Sequence, residues 1–519
     1  MFWLDELADE IIKANPGKKE LVVRDEKTLS GRVHVGSLRG VVLHGITAQA
    51  LRERGIQAHF VYEFNDVDPM DGLPVYLDKA EYEQHMGKPL RDVPSPDAKA
   101  KNYPEYFGIE FKEVIDSLHL EAEYTRATKK YDDGEYDQWI VKAMENESAI
   151  RQIYKEVSGS VKPDDWHPLQ VVCENCGKIG TTKVTGWDGK LASYICEPDM
   201  VKWAKGCGHT GAIAPFKGKG KLPWKVEWPV KWTVYNVDVE GAGKDHGAAG
   251  GSYDIGIRIA REIFKTHVPF NIPYEFFLFG GAKMSSSKGE GATAHAISKI
   301  LPPELVRFLM IRSRPNQPIE FDPNDETIPR LFDRYDECAD HYFELAEEVN
   351  KDFARAFYFS QIAPIEATFR PRFSRLVFMV QMPHLNIEAE VAKLKKSPLT
   401  EADKKELEKR LHYVKLWLSE YAPDSVKFEV LKETPIVELS VDQKAFLAQI
   451  IDELKVEQTG EELHGKLHAI RKASPLSARD AFGAIYKALI GKDSGPQAGW
   501  FLEALDKDFV IKRFQELIG

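Results

Sequence analysis

Near the start of the chain, a loop rich in serine and glycine contains residue types that bind phosphate groups. The loop covers residues 28–40 and includes Ser30, Gly31, His34, Gly36 and Ser37. A ligand can approach the backbone closely at Gly36, which has no Cβ, and the His34 ring offers a hydrogen-bond donor. Free N–H groups at the start of the following helix add further donors. On these residues alone, an ordinary turn between a strand and a helix explains the loop equally well.

A second segment carries two lysines and three serines on a loop that follows two glycines. Its residues are Lys283, Met284, Ser285, Ser286, Ser287 and Lys288, and an apolar run at 274–279 precedes the glycines. Ammonium and hydroxyl groups on a mobile loop can close around a triphosphate. We therefore predict that this segment is a clamp for nucleotide phosphates.

A third segment places polar residues between two glycine clusters. Residues 235–240 are predicted to form a strand, and the positions after it include Gly243, Asp245, His246 and Asp254. Polar side chains at the tip of a strand are typical of the edge at which parallel sheets bind ligands. Asn65, Asp66 and Asp68 follow another predicted strand in the same way, although an Asx turn ending at Pro69 is the alternative.

Four of the five cysteines lie within 35 residues of one another, at Cys173, Cys176, Cys196 and Cys207. The Cys-x-x-Cys spacing of the first two lets both thiolates reach one metal ion, and such ligands are typical of structural zinc. The second pair is less regular, so His209 is an alternative fourth ligand. A disulfide is disfavoured in a cytoplasmic protein, and a redox pair is disfavoured because the motif does not open a helix in a βαβ unit.

The elements that must position these segments form a strand, a loop, a helix and a second strand. Residues 20–24 and 58–62 are predicted as strands, and between them Leu38, Val41, Val42, Gly45 and Gln49 have the spacing of one helix face. Basic residues and then Gly55 predict the helix end. The pattern predicts an α/β fold with a parallel sheet, followed beyond about Phe332 by a nearly all-helical region.

Several other stretches yield local predictions. Residues 70–108, rich in Pro, Asp and Tyr, are predicted to be an insertion over the site, and helical patterns cover 107–120 and 136–157. Trp224, Trp228 and Trp232 recur at every fourth residue, and we expect Pro223 and Pro229 to prevent one long helix there. A capping and charge pattern starting at Thr400 predicts a solvated helix.

Size and charge limit the class of protein. A chain of 519 residues is long enough for about three or four domains, and its net charge of −11 argues against a generally basic nucleic-acid coat. No apolar stretch is long enough to span a bilayer, and the first residues lack the pattern of a secretory signal. We therefore expect a cytoplasmic protein.

One local cluster of lysines departs from the acidic average. Between residues 202 and 231, seven lysines accompany a single acid, Glu227, and these lysines are Lys202, Lys205, Lys217, Lys219, Lys221, Lys225 and Lys231. Such a cluster can contact the phosphate backbone of RNA. A flexible, solvated loop is the alternative explanation.

The first two segments together resemble the paired signatures of class I aminoacyl-tRNA synthetases, which are the His-X-Gly-His and Lys-Met-Ser-Lys-Ser loops. The third segment narrows the likeness, so that most of the chain resembles class I lysyl-tRNA synthetases. The resemblance implies a Rossmann-type catalytic domain with a zinc-binding insertion and an all-α anticodon-binding domain. It also implies ATP, Mg²⁺, L-lysine and tRNA(Lys) as cofactors and partners, with no membrane; a monomer is expected.

Site roles follow from the resemblance, residue by residue. It implies that His34, Lys283 and Lys288 take part in catalysis, and that ATP contacts Ser30, Gly31, His34, Gly36, Ser37, Gly243, Asp245, His246, Lys283, Met284, Ser285, Ser286, Ser287 and Lys288. It implies that lysine contacts Thr28, Trp232, His246 and Tyr274, and Asp254 is predicted as a further lysine-binding residue. Two positions depart from the family pattern, because Ser37 replaces the second histidine and Ser286 stands at the second lysine, for which Lys288 is the proposed substitute.

The reaction implied by the resemblance has two steps, adenylate formation and transfer of the lysyl group to the terminal adenosine of the tRNA. Binding lysine requires an acceptor for the ε-ammonium, since an unpaired buried charge is very costly. The acids predicted at sheet edges are Glu26, Asp66, Asp238, Asp254 and Glu275. Of the three tryptophans, Trp232 is expected in the lysine pocket and the other two in the seam between insertion and core.

The resemblance implies three regions. The catalytic domain is expected over 1–295, with insertions at about 70–108 and 163–225, the connecting helical region over 296–370, and the anticodon-binding domain over 371–519. The alternatives are a class I synthetase for another amino acid such as glutamate, a small-molecule adenylyltransferase, and a zinc-containing RNA-binding protein without activity.

Overall fold

The structure, a computed structural model, describes residues 1–280, 292–383 and 385–519. The described chain divides into two units. Unit 1 comprises residues 1–321 and 338–364, and unit 2 comprises residues 322–337 and 365–519. The assignment of functions to regions of the chain stays a prediction.

Unit 1 is built on a parallel sheet of five strands, which are β1 (Glu20–Thr28), β2 (Gln57–Asn65), β3 (Ala122–Arg126), β9 (Val239–Gly243) and β10 (Phe270–Tyr274). Their order in the sheet is β10-β9-β1-β2-β3. Leu21 and Val23 on β1 and Phe60 and Tyr62 on β2 are buried, as expected of strands covered on both faces. The predicted α/β fold is confirmed. The strand order reverses between β1 and β9, which is where parallel sheets of this kind bind ligands.

Helices surround this sheet and continue beyond it. Their bounds are α1 Trp3–Ala14, α2 Ser37–Glu53, α3 Lys79–Tyr82, α4 Tyr103–Ser117, α5 Ala127–Asp132, α6 Asp137–Glu145, α7 Glu147–Ser158, α8 Trp224–Val234, α9 Lys244–Gly247, α10 Ser252–Arg258, α11 Ala294–Ile300, α12 Pro303–Ile311, α13 Thr327–Tyr342 and α14 Lys351–Ser360. A π-helix, Ile259–Phe264, continues α10. No helix within the described ranges is both long and apolar enough to cross a membrane.

Short strands form a separate layer in the insertion between α7 and α8. These are β4 (Gln170–Val171), β5 (Thr182–Trp187), β6 (Ala192–Cys196), β7 (Thr210–Ile213) and β8 (Gly220–Lys221). β5, β6 and β7 pair as an antiparallel sheet, and β4 pairs with β8. A parallel pair, β11 (Phe277–Phe279) and β12 (Ile319–Phe321), completes the strands of the described chain.

Unit 2 is helical in its described part. Its helices are α15 (Phe373–Val380), α16 (Ile387–Lys395), α17 (Glu401–Glu420), α18 (Val441–Leu454), α19 (Gly460–Ala473), α20 (Ala478–Ile490), α21 (Ala498–Glu503) and α22 (Lys507–Ile518), together with the first part of α13. Phe446, Leu467, Ile485 and Phe514 lie in its core. The helix predicted from the pattern at Thr400 is confirmed, because Thr400 and Asp403 form a capping box.

Five local predictions need correction. The first strand extends to Thr28 rather than ending at Arg24, because residues 25–28 continue the pairing with β2. The strand predicted over 235–240 begins only at Val239, since Asn236 takes a left-handed turn with φ 50°. The helix predicted over 107–120 spans 103–117 and starts where Asn102 caps it.

The other two corrections concern interrupted helices. A break at Asn146 divides the helix predicted over 136–157 into α6 and α7. Pro229, expected to interrupt the tryptophan segment, instead lies inside α8, whereas Pro223 precedes it. A proline removes one helical hydrogen bond. The neighbouring Trp224 and Trp228 rings still stack on one helix face, with centroids 5.0 Å apart.

Candidate functional site

A cavity of about 430 Å³ opens at the carboxyl edge of the sheet, where β1 and β9 end. It therefore lies at the switch point of the strand order. Its lining includes residues from the first and third predicted segments and from the ends of β1, β9 and β10, among them Asp25, Glu26, Lys27, Thr28, His34, Gly36, Ser37, Asp68, Trp224, Trp228, Glu240, Gly243, Lys244, Asp245, His246, Tyr274 and Glu275. Eight of the twelve residues predicted for the ATP and lysine sites within the described part of the chain therefore line this cavity.

The first loop is held in a tight conformation beside α2. Ser37 N–H donates to the His34 carbonyl at 3.1 Å, and Leu38 N–H donates to the Val35 carbonyl at 2.9 Å. These short-range bonds occupy N–H groups at the helix start that the sequence predicted to be free. His34, Gly36 and Ser37 nevertheless line the cavity, so the loop borders the site as predicted.

Ser30 and Gly31 do not line this cavity within the described residues. The buried Tyr103 donates its hydroxyl to the Ser30 carbonyl at 2.9 Å. The next residue, Arg32, donates its N–H to the Tyr76 hydroxyl at 2.7 Å. The insertion at 70–108 therefore braces this part of the loop from outside the cavity.

The predicted clamp residues Lys283, Met284, Ser285, Ser286, Ser287 and Lys288 lie outside the described residues. The flanking chain is anchored on both sides. Gly280 N–H donates to the Phe321 carbonyl at 3.1 Å, and Val35 N–H donates to the Ala292 carbonyl at 3.0 Å. The chain therefore re-enters the described structure directly beside the His34 loop.

The third segment also borders the cavity. Gly243, Asp245 and His246 line it, and α9 begins at Lys244. The His246 ring packs on Trp224 and Trp228, with centroids 5.9 and 5.8 Å away. Asp254 does not line the cavity in the described chain; its carboxylate accepts the Gly250 N–H at 2.8 Å and so holds the turn before α10.

The tryptophan prediction is corrected by the structure. Trp224 and Trp228 line the cavity, whereas Trp232 is fully buried one helical turn behind them. The Trp232 indole N–H donates to Glu240 at 2.6 Å. Because α8 is continuous through Pro229, successive tryptophans lie progressively deeper, and the first two face the ligand space.

A buried ionic network forms the floor of the cavity. Its three cations are Arg24, Lys221 and Lys231, and its five carboxylates are Glu26, Glu63, Asp68, Glu227 and Glu240. The Lys231 ammonium donates to Glu26 at 2.6 Å and to Glu63 at 2.9 Å. The Lys221 ammonium donates to Glu227 at 2.6 Å and lies 2.9 Å from an Asp68 oxygen. Arg24 contacts Glu26, Glu63 and Glu240. With all groups ionised, the network carries two negative charges in excess.

The electrostatics of this network follow from burial and pairing. Burial raises the pKa of Glu240 to about 7, although Arg24 opposes the shift. Burial also acts on Glu63, but Lys231 and Arg24 hold the pKa of that carboxyl below its usual range. Burial lowers the pKa of Lys231, but Glu26, Glu63 and Glu227 hold it well above that of a free lysine. The floor is thus built from permanent cations and an excess of acids.

Glu26 differs from the other four acids of the network. Both Arg24 and Lys231 contact its Oε2, while no group among the described residues hydrogen-bonds to its Oε1. Both oxygens of Asp68 are occupied, by Lys221 on one and by Thr28 and Asn65 on the other. Glu240 is shared between Arg24 and Trp232 in the same way. Glu26 is therefore the network acid with an unused acceptor at the cavity.

The remaining candidate acids take other positions. Asp66 accepts the Thr128 N–H, and Asp238 pairs with Lys18 and accepts the Val22 N–H; neither lines the cavity in the described chain. Glu275 lines the cavity but pairs with Lys244 at 2.8 Å. The structure therefore separates Glu26 from the other acids predicted at sheet edges.

Thr28 and Tyr274 occupy opposite parts of the lining. Thr28 donates its hydroxyl to Asp68 at 2.7 Å, on the same side as the ionic network. Tyr274 lies near α2, where a Cβ added to Gly40 would meet its hydroxyl at 3.0 Å. Burial raises the pKa of this phenol well above its usual range, so the group is a neutral hydrogen-bonding partner.

The four cysteines predicted as ligands converge outside this cavity. The Sγ atoms of Cys173, Cys176, Cys196 and Cys207 all lie within 4.8 Å of one another. Two of the separations are 3.6 and 3.7 Å. Zn–S bonds of 2.3 Å in a tetrahedron place the sulfurs about 3.8 Å apart, so the cluster fits such an ion. Among the described residues, the alternative ligand His209 is not part of the group.

The lysine cluster is smaller at the surface than the sequence suggests. Lys221 and Lys231 are buried in the ionic network. Lys202, Lys205, Lys217, Lys219 and Lys225 remain at least partly exposed on the insertion and the start of α8. The two buried lysines neutralise acids, whereas the others are available to an anionic partner.

Some residues of the site were not among those singled out from the sequence. Glu240 and Lys27 line the cavity. Lys231, predicted only as a member of the lysine cluster, anchors the floor. A polar residue within an apolar strand, such as Arg24 or Glu63, is the signal that a buried ionic network crosses the sheet. Pairings between residues some 200 positions apart in the chain become visible only in the fold.

Known proteins are similar to this chain over nearly its whole length. A family model described as "tRNA synthetases class I (K)" matches residues 1–363. The chain is similar to the lysine–tRNA ligase of Methanosarcina barkeri (strain Fusaro / DSM 804), at 35% identity over 99% of this chain and 97% of that protein. It is also similar to the lysine–tRNA ligase of Archaeoglobus fulgidus, at 33% identity over 99% of each. A solved glutamate tRNA ligase from Elizabethkingia meningosepticum covers 96% of this chain and 99% of its own, at 13% identity and a TM-score of 0.40, which is too low to support an inference.

Proposed function

This chain belongs to the class I (K) tRNA synthetase family, and on that premise we propose that it attaches L-lysine to tRNA(Lys) with ATP. In the first step, a lysine carboxylate oxygen attacks the α-phosphorus of ATP. The bond from that phosphorus to the bridging oxygen breaks, and pyrophosphate leaves with the electron pair. In the second step, a ribose hydroxyl of the terminal adenosine attacks the lysyl carbonyl, loses its proton and displaces AMP.

The observation that carries the choice of lysine is the negative floor of the cavity. Five carboxylates face three cations in the buried network, and Glu26 Oε1 is without a hydrogen-bond partner in the described chain. A buried charge is tolerated when a close partner offsets the loss of water. We assign the ε-ammonium of the substrate to Glu26, which supplies that partner.

The same charge argument disfavours glutamate as the substrate. A glutamate side chain would bring a further carboxylate against an acidic floor, and like charges at short range repel. A cationic side chain instead reduces the net negative charge of the network. It also favours the ionised form of Glu240, a group whose pKa is raised by burial to about 7. The floor therefore discriminates between substrates by the sign of their side-chain charge.

The walls of the proposed lysine pocket come from α8 and the strand ends. Trp224 presents an aromatic face beside the floor, where it already lies 5.5 Å from the Lys231 ammonium. We assign the aliphatic part of the substrate to Trp224, with Thr28, Tyr274 and His246 around it. Trp232 lies behind the pocket, where its indole N–H donates a hydrogen bond that holds Glu240 in place.

ATP is assigned to the α2 side of the cavity. His34, Gly36 and Ser37 border the place for the phosphates, and Gly243, Asp245 and His246 border the place for the nucleoside. Lys283 and Lys288, by their sequence alone, are proposed to bind the leaving pyrophosphate, and Mg²⁺ is proposed to accompany the ATP. Catalysis then rests on alignment and on stabilising charge at phosphorus.

The tRNA contacts are proposed for two regions. Exposed lysines of the insertion, such as Lys205 and Lys219, offer contacts to the RNA backbone. The helical region at 371–519 is proposed to bind the anticodon, and 296–370 to connect it with the catalytic region. A monomer acting in the cytoplasm is the form we propose.

A structural zinc ion is proposed at the four cysteines. Thiolate ligands drawn from the turn after β4, the end of β6 and the loop before β7 would tie the insertion together. Bound zinc supplies folding free energy rather than reactivity when all four positions are filled by protein. The four Sγ atoms fill those positions, so the site is proposed to have no role in the chemical steps.

Amino-acid-dependent exchange of pyrophosphate into ATP tests the proposal. Each of the twenty amino acids is supplied in turn, with and without total tRNA, and charging of tRNA is measured with the amino acid that responds. Exchange and charging with lysine alone are expected. A response to glutamate instead would overturn the lysine assignment, and no exchange under any condition would overturn the enzymatic proposal.

A further inference from the structure

Lys27 is a cation at the cavity that forms no ion pair with a carboxylate of residues 1–280, 292–383 or 385–519. It lines the cavity at the end of β1, and no side chain among the described residues forms a hydrogen bond or an ion pair with its ammonium group. The other lysine of the lining, Lys244, pairs with Glu275 at 2.8 Å. Arg24, Lys221 and Lys231 each contact at least one carboxylate. Lys27 is thus available to an anion that enters the cavity.

The position of Lys27 on β1 places it on the α2 side of the sheet. Side chains of a strand alternate between its two faces, so Asp25 and Lys27 share one face and Glu26 and Thr28 share the other. The Asp25 carboxylate lies against α2, because a Cβ added to Gly40 would come within 2.7 Å of it and the His44 ring nitrogen lies 3.7 Å away. Glu26, on the opposite face, contacts Lys231 of α8.

This division separates the anion-binding side from the ammonium-binding side. The loop with His34 and Ser37 leads into α2, on the face that Lys27 shares. Burial lowers the pKa of Lys27, while Asp25 and Glu26 oppose the shift. A bound anion would offset the loss of hydration and favour the charged form of the lysine.

We propose that Lys27 binds a phosphate oxygen of ATP, at the α-phosphate that is attacked or the pyrophosphate that leaves, and stabilises the charge that develops during adenylate formation. The role rests on the proposed function, since it needs ATP in this cavity. No proton moves in this step: the ammonium stays protonated, the carboxylate–phosphorus bond forms, and the phosphorus–pyrophosphate bond breaks.

The sequence itself shows why an additional cation is needed here. Ser37 stands where the first signature would have a second histidine, and Ser286 stands where the second would have a lysine. Two donors that could interact with phosphate are thereby reduced to neutral hydroxyls. Lys27 adds one positive charge to the cavity that His34 and Ser37 line, and it does so from strand β1.

The test compares Lys27→Met, Lys27→Arg and the unchanged protein in lysine-dependent pyrophosphate exchange. Lys27→Met is expected to lower kcat/KM for ATP about 100-fold, the range seen when a charge-stabilising donor is lost, with KM for lysine changed less than about threefold. Lys27→Arg is expected to recover at least about a tenth of the lost activity, because it keeps the charge. Lys112→Met is the matched control, since Lys112 is exposed on α4 and pairs with Asp116 at 2.5 Å.

A binding measurement adds a readout that does not depend on turnover. Calorimetric titration with an α,β-methylene analogue of ATP is expected to show weaker binding in Lys27→Met than in Lys27→Arg, at equal thermal stability. If a folded Lys27→Met protein kept the kcat/KM for ATP and the affinity for the analogue of the unchanged protein, the proposal would be overturned. An equal rise in KM for lysine and in KM for ATP would overturn it as well. If Lys27→Met does not fold, Lys27→Gln takes its place under the same criteria. Absence of lysine-dependent exchange in the unchanged protein would instead refute the proposed function.

Discussion

Trp232 and Glu240 hold each other in place directly behind the cavity. The indole N–H donates to Glu240 Oε2 at 2.6 Å, and Arg24 donates to the other oxygen at 2.5 Å. All three residues are buried. Trp232 of α8 therefore fixes Glu240 of β9, which lines the cavity. The tryptophans of α8 thus have two different positions: Trp224 and Trp228 line the cavity, and Trp232 supports its floor.

This division predicts different effects for two tryptophan substitutions. Trp224→Ala is expected to raise KM for lysine about tenfold, because an aromatic face beside the ammonium and the aliphatic chain is lost, with little change in KM for ATP. Trp232→Phe is expected to lower the free energy of unfolding by about 1–3 kcal/mol, since Glu240 loses a buried donor. Exchange kinetics and urea unfolding measure the two effects. Equal increases in both Michaelis constants for Trp224→Ala would remove it from the lysine pocket.

Removing the charge of Glu26 should impair the binding of lysine selectively. Glu26→Gln is expected to raise KM for lysine by about 30-fold or more, the equivalent of about 2 kcal/mol, because the ammonium loses its charged partner. Asp238→Asn is the matched control: Asp238 pairs with Lys18 away from the cavity lining, so KM for lysine should stay within about twofold. A Glu26→Gln protein with an unchanged KM for lysine would assign the ammonium to another acid.

The raised pKa of Glu240 predicts a pH dependence of stability with a definite sign. Burial is the main cause of the rise from 4.5 to about 7, Arg24 opposes it, and Glu26 and Asp25 add to it. The folded protein keeps this proton where the unfolded chain has released it, so the free energy of unfolding decreases as pH increases from about 4.5 to 7. Glu240→Gln should remove this contribution, which amounts to about 3 kcal/mol at most across the window.

The same group links the binding of lysine to pH. The ε-ammonium favours the ionised carboxylate, so the affinity for lysine is expected to increase as pH rises from 6 to 8, with proton release on binding. Calorimetric titrations in two buffers of different ionisation enthalpy measure that release. A protein with Glu240→Gln should show a smaller pH dependence, and an identical dependence would attribute the titration to another group.

Metal removal should affect the insertion rather than the chemistry. One zinc ion per chain is expected by atomic emission, and Cys176→Ser should lower the metal content and the thermal stability. His209→Ala is expected to retain the metal, because His209 lies outside the cysteine group in the described structure. If His209→Ala lost its zinc while Cys207→Ser kept it in full, the fourth ligand would be His209 and not Cys207.

The parts of the fold that follow from local patterns were predicted well. The capping box at Thr400 identifies the start of α17, and the apolar spacing from Leu38 identifies α2, because both depend on neighbouring residues. The extension of β1 through Asp25–Thr28 was not predicted, since its polar residues read as the end of a strand. They remain in the sheet because β2 pairs with each of them.

The site was predicted in outline but not in its pairings. His34, Gly36, Ser37, His246 and Tyr274 line one cavity, as their segments suggested. Trp224 and Trp232 could not be ranked from sequence, because their depth depends on whether α8 continues through Pro229. The contacts of Arg24 with Glu63 and Glu240 likewise join strands that only the sheet order makes neighbours.

The alternation of side chains along the end of β1 makes this strand a divider between substrates of opposite charge. Glu26 lies toward the compartment proposed for a cation, and Lys27, one residue later, toward the compartment proposed for an anion. Inserting or deleting a single residue between positions 20 and 25 would turn Glu26 toward the side proposed for the anion and Lys27 toward the side proposed for the cation. Every functional side chain would still be present. Under the proposed assignments, selectivity by charge depends on whether the number of residues before Glu26 is even or odd, so an even-numbered change in the strand should be tolerated better than an odd one.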